Sequence, residues 1–211
     1  LRLYNTIYYK SGWQDAFKSS QTKQDTFTAA DGAAQTVDFM HRTESGSYRK
    51  GDGYTAASRS LNYGRMVFVL PDEGVTPESL LQRQGFLAEL TGDYNAAELV
   101  WSVPKFDVKS STELNGVLQA LGVTDAFDMA EADFTPLTDN GAFLSSAMQA
   151  ARVKIDEEGV EAAAYTEIVC ADSAMMEVPP TVEMELDRPF LFVIFDYNNV
   201  PLFVGTVNTM A

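Results

Sequence analysis

The chain has 211 residues, 45% of them hydrophobic and 11% aromatic, enough to bury a substantial core in one large domain or two small ones. Acidic residues number 30 against 15 basic, and the net charge of −15 disfavours nucleic acid, heparin-like polyanions and anionic membrane surfaces as partners. The one cysteine, Cys170, excludes an intrachain disulfide, and no apolar run approaches the ~18 residues of a membrane span.

Alternation in LRLYNTIYY predicts a strand over residues 1–9, turned by KSGW. A strand with no leader before it points to the start of a fragment. A polar connection follows, with aromatic anchors Trp13, Phe17 and Phe27. Residues 33–69 hold short alternating segments that Gly46, Gly51, Gly53 and Gly64 punctuate as meander turns. RMVFVLP is a compact strand ending at Pro71, and DEGVTPESLLQRQGFLAEL reads as a helix started by Thr76-Pro77-Glu78. AELVWSVPKFDVKSS is strand-like. STELNGVLQALGVTDAF carries the clearest helical pattern, with Ser111 or Thr112 as cap, Leu114, Val117, Leu118 and Leu121 as stripe, and Gly122 at its end. FLSSAMQAARVKID turns strand-like towards Ile155, and RPFLFVIFDYNNVPLFVGTV reads as two apolar strands joined by a hairpin at DYNNVP. Many strands, few helices and no regular βαβ alternation predict an α+β fold with antiparallel or mixed sheets.

The residues for catalysis are not brought together in the sequence. His41 is the only histidine and lies in a polar, turn-rich segment. There is no G-x-S-x-G elbow, C-x-x-C pair, H-E-x-x-H or P-loop. The acidic stretches DEEG and DMAEAD lack the ligand spacing of a calcium loop, and Cys170 has no evident activating neighbour. Neither an enzyme, a metal site nor a cofactor is expected.

The segment EEGVEAAAYTEIV, residues 157–169, is the most informative. Read with a two-residue period, Val160, Ala162, Ala164, Thr166 and Ile168 form one small or apolar face, and Glu161 and Glu167 lie on the other. Three consecutive alanines are unusual in an ordinary strand. They suit a segment that must slide between two existing strands with little steric resistance. A helical turn or an edge strand is the alternative reading of the pattern.

EEGVEAAAYT resembles the hinge of inhibitory serpins, the serine protease inhibitors. LDRPFLFVIFDYNNVPLFVGTV resembles the signature that follows the serpin reactive loop, and LYNTIYYKSGWQDAF a family strand carrying Asn5, Ile7, Tyr8, Tyr9, Lys10 and Trp13. The resemblance runs in order from residue 1 to residue 211 and implies the C-terminal half of a serpin domain, with the reactive loop at about 157–180 and the signature strands at 186–208. It implies a suicide substrate of serine or cysteine proteases: the loop is cut, an acyl-enzyme forms, and the hinge inserts as a new strand in the central sheet. The hinge residues would be Glu157, Glu158, Gly159, Val160, Glu161, Ala162, Ala163, Ala164 and Thr166. Counting from either end places the scissile bond among Ser173, Ala174, Met175 and Met176. Such residues suit elastase-, chymotrypsin- or subtilisin-like targets and disfavour trypsin-like ones. The sheet-opening region would hold Asn5, Trp13 and Gln149, the last standing where the family commonly has histidine, with Asn5 as its partner. A bacterial, extracellular or secreted member is the expectation. The alternatives are a non-inhibitory serpin-fold binding or scaffold protein, an inert half-domain, and, outside the family, an acidic β-rich binding module.

Overall fold

The computed structural model describes residues 1–160 and 179–210. Their elements in chain order are β1 (Arg2–Ile7), β2 (Ser11–Gly12), β3 (Lys23–Thr28), β4 (Ala34–Gly51), β5 (Tyr54–Leu61), β6 (Gly64–Pro71), α1 (Pro77–Leu81), α2 (Phe86–Glu89), β7 (Asn95–Pro104), β8 (Phe106–Glu113), α3 (Asn115–Ala120), β9 (Ser146–Asp156), β10 (Gly159–Val160), β11 (Thr181–Glu185), β12 (Phe190–Phe195) and β13 (Pro201–Val207). Strands dominate, helices are few and the sheets are mixed, in agreement with the α+β expectation. The chain divides into two compact units, Leu1–Tyr9 with Asp107–Val153, and Lys10–Phe106 with Lys154–Ala211.

In the first unit β1 pairs parallel with β9, from Arg2 opposite Ser146 to Ile7 opposite Ala151. β8 pairs with β9 as well. Here the structure corrects the helical reading of STELNGVLQALGVTDAF. Ser111 and Thr112 belong to β8, because strand pairing claims them before a helix can, and α3 is only six residues long. None of its residues is buried, and Val117 and Leu121 of the expected stripe are exposed. Gly122 does follow its end, at φ +94°.

The second unit is built on an eight-stranded sheet with strand order β11-β7-β4-β5-β6-β12-β13, and β3 joins it through β4. Gly46, expected as a turn, lies inside the 18-residue β4. A Cβ there would come 2.5 Å from Leu99 Cδ1, so the glycine answers to packing rather than to a bend. The single helix expected after Pro71 is two short ones. Gly85, at φ +81°, breaks it, and Thr76 Oγ1 accepts a hydrogen bond from the Ser79 N–H to cap α1.

Both faces of this sheet are covered at β6 and β12, which is why FLFVIF reads as an unbroken apolar run: all six of its residues are buried. On one face Val67, Val69, Leu191, Val193 and Phe195 pack with Tyr54 and Ala56 under Leu80, Phe86 and Leu90. On the other, Phe68, Trp101, Phe106, Phe190 and Phe192 form a set of ring contacts, with Trp13 reaching Phe68 at a centroid distance of 6.3 Å. These rings fix the segment from Trp13 to Phe17, on which the site described next is built.

Candidate functional site

At the end of β9 the chain reverses through Glu157 and Glu158 and enters β10. β10 is only two residues long and has a strand on each side. Gly159 and Val160 pair antiparallel with Asp156 and Ile155 of β9, and with Gly12 and Ser11 of β2. Val160 is 2% exposed. A slot one strand wide is thus occupied for two residues, and the chain passes from Val160 into residues outside the described set.

Gly159 is required by the closeness of the walls. Its φ of +141° is one that L side chains rarely adopt. An added Cβ would lie 2.5 Å from Ser11 O, 2.6 Å from Gly12 Cα and 2.7 Å from Trp13 N. All three are backbone atoms, so no side-chain rotation can relieve the contact.

The three residues before Gly159 are caught from one direction. The Trp13 N–H donates to Glu158 O at 2.9 Å, the Phe17 N–H to Glu157 O at 2.9 Å, and the Trp13 indole Nε1–H to Asp156 O at 3.0 Å. The Glu157 carboxylate accepts from Thr22 Oγ1 at 2.8 Å and pairs with Lys105 Nζ at 3.0 Å. Burial pushes the Glu157 carboxyl up, but its hydrogen bonds to Lys105, its own backbone N–H and Thr22 together hold it below the ordinary carboxylate value. Glu158, by contrast, is exposed.

Of the residues expected to open the sheet, Trp13 is buried and holds Asp156 and Glu158 as described. Asn5 and Gln149 lie in the first unit as register partners of β1 and β9, Asn5 exposed and Gln149 half-buried. Glu161, Ala162, Ala163, Ala164 and Thr166, and the scissile candidates Ser173, Ala174, Met175 and Met176, lie outside the described residues. Lys105, Thr22 and Phe17 escaped sequence reasoning as site residues. The signal for Lys105 was present: it is a single cation between two apolar strands, in WSVPKFDV. Thr22 carried none, since a threonine in a polar connection has no distinguishing context.

What the described residues of the site offer is backbone. Two strand edges hold a short third strand, and ion-paired and hydrogen-bonded anchors lie immediately before it.

Comparison with known proteins places the whole chain in one family. The family profile described as Serpin (serine protease inhibitor) matches residues 1–210. The chain is 33% identical to Iris of Ixodes ricinus over 225 aligned residues, covering all of this chain and 58% of that protein. The fold matches the native state of tengpin, a thermophilic serpin, with a TM-score of 0.80 at 28% identity, over 99% of this chain and 55% of that one. It also matches native protease nexin-1 with heparin, with a TM-score of 0.79 at 26% identity, over 99% of this chain and 56% of that one. The chain thus spans little more than half the length of the proteins it matches.

Proposed function

The chain belongs to the serpin family, and from that premise we propose that it forms the C-terminal part of a protease inhibitor acting as a suicide substrate. In this reading a target protease cuts the loop between residues 157 and 180, at a bond among Ser173, Ala174, Met175 and Met176. The segment from Glu161 to Thr166 then lengthens β10 before water resolves the acyl-enzyme. To do so it parts β1 from β9, whose six register pairs close the sheet in the described state. The observation that carries the reading is β10 itself. In this reading the two-residue β10 is the seed of the inserting strand, and Val160 is buried between its neighbours.

The face that follows Val160 at two-residue spacing, Ala162, Ala164 and Thr166, bears no charge, so continued insertion buries none. Apolar and small residues near the cut favour elastase-, chymotrypsin- or subtilisin-like proteases met outside the cell. The net charge of −15 argues against a polyanionic partner such as the heparin present in the protease nexin-1 structure. The test is incubation of the full-length protein with pancreatic elastase or subtilisin, followed by boiling in detergent. A complex of the summed mass is expected. Loop cleavage without such a complex overturns the inhibitory reading and leaves a serpin fold used for binding.

A further inference from the structure

Arg59 is a charged residue where the pattern of its strand calls for an apolar one. β5 reads YTAASRSL, and Ala57 and Leu61, two positions to either side of Arg59, are both fully buried. Arg59 is buried with them, at 4% exposure. Its guanidinium carbon lies 3.8 Å from the centroid of Phe17 and 4.9 Å from that of Trp13. Its Nε pairs with Glu44 Oε1 at 3.2 Å, and its Nη2 donates to the backbone oxygen of Asp15. Arg42 completes the cluster, pairing with the other Glu44 oxygen and with Asp15 at 3.6 Å, and donating to Ala16 O at 2.9 Å. One guanidinium therefore grips Trp13, Asp15 and Phe17 together and ties them to β4 and β5. Trp13 and Phe17 are the residues whose N–H groups hold Glu158 and Glu157.

We propose that Arg59 is a positioning residue that anchors the β2 side of the slot to the large sheet, and so sets how readily β10 lengthens beyond Val160. The idea rests on the suicide-substrate reading. Burial brings the Arg59 pKa down to about 10, against the opposing pull of Glu44, so the charge is kept at a cost in solvation. Its Nη1 has no hydrogen-bond partner among the described residues. An apolar residue would fill this place at less cost, but could not reach a ring stack, a carboxylate and a carbonyl at once.

The test compares Arg59→Met and Arg59→Lys with the parent in the full-length protein. Two measurements are made: amide hydrogen exchange at Trp13 and Phe17, and uptake into the sheet of a synthetic peptide with the sequence of residues 160–171. Loss of the grip by Arg59→Met is expected to speed both by about tenfold, with the fold kept by circular dichroism. Arg59→Lys keeps the ion pair and loses the planar stack, and is expected to fall between the two. Exchange at Trp13 and Phe17 unchanged in both variants overturns the anchor, whatever the protease assay shows. Faster exchange with unchanged peptide uptake overturns the link to insertion. Failure of the parent to trap a protease tells against the inhibitory reading alone, because exchange and peptide uptake involve no protease and still decide the role of Arg59.

Discussion

Replacing Gly159 by alanine perturbs the slot by one methyl group. That methyl would sit within 2.7 Å of three backbone atoms, Ser11 O, Gly12 Cα and Trp13 N, and the backbone at this position has φ +141°. Strain of that kind costs about 1–3 kcal/mol, and overpacking against atoms that cannot rotate away costs about 1–3 more. β10 is held by its ladder bonds, about 1 kcal/mol each, and by the burial of Val160, about 1.5–3 kcal/mol. The two sums are of similar size, so the variant should release β10 from β2 in a large fraction of molecules. Hydrogen exchange at residues 159 and 160 should quicken by at least about tenfold, since each 1.4 kcal/mol is a factor of ten. More inhibitor should be consumed per protease trapped, because a cleaved loop that starts outside the slot inserts later. Gly32→Ala is the control. Gly32 also has positive φ, at +84°, but no atom lies within 4 Å of its added Cβ, so it carries strain of about 1 kcal/mol without a clash. Unchanged exchange at residues 159 and 160, or an effect no larger at exchange or trapping than the control gives, would refute the reasoning.

Val160→Arg puts an unpaired charge where the native side chain is 2% exposed, at a cost of several kcal/mol. Elastase should cut its loop at the parent's rate yet leave no detergent-stable complex, and equal trapping by this variant counts against insertion. The Glu157 carboxylate is held below its ordinary pKa, so its contribution to stability is fully present above the unfolded value of about 4.3 and is lost as pH falls through the folded value. Peptide uptake should therefore quicken in the parent below about pH 4, whereas Glu157→Gln should show faster uptake at neutral pH, by the equivalent of about 1 kcal/mol, and no such acid step. Phe192→Ala removes a ring 2% exposed from the aromatic face of β12 and should cost about 3–5 kcal/mol in urea unfolding, a loss under 1 kcal/mol showing that the face is not packed as described.

Local pattern alone determined a good deal. Alternation and apolar runs marked β6, β7 and β12, and the asparagine pair marked the reversal at DYNNVP, where Asn199 adopts φ +61°. These signals are legible because a strand's two-residue period and a turn's positive φ act over a few residues. The order of motifs along the chain was enough to show the family resemblance. Tertiary structure decided what depends on neighbours distant in sequence. Ser111 and Thr112 extend β8 rather than capping a helix, because β9 was there to pair with it. Gly46 marks not a turn but a close approach to Leu99 across β7. Asn5 and Gln149 lie in register, yet Asn5 is exposed. The latch on Glu157 joins Thr22 and Lys105, 135 and 52 residues away, and the grip of Arg59 joins β4, β5 and the segment after β2. Such constellations have no period, since the separations that create them are set by how the sheet is wound. The residues before the hinge could be named from the chain alone, but what holds them is a matter of the fold.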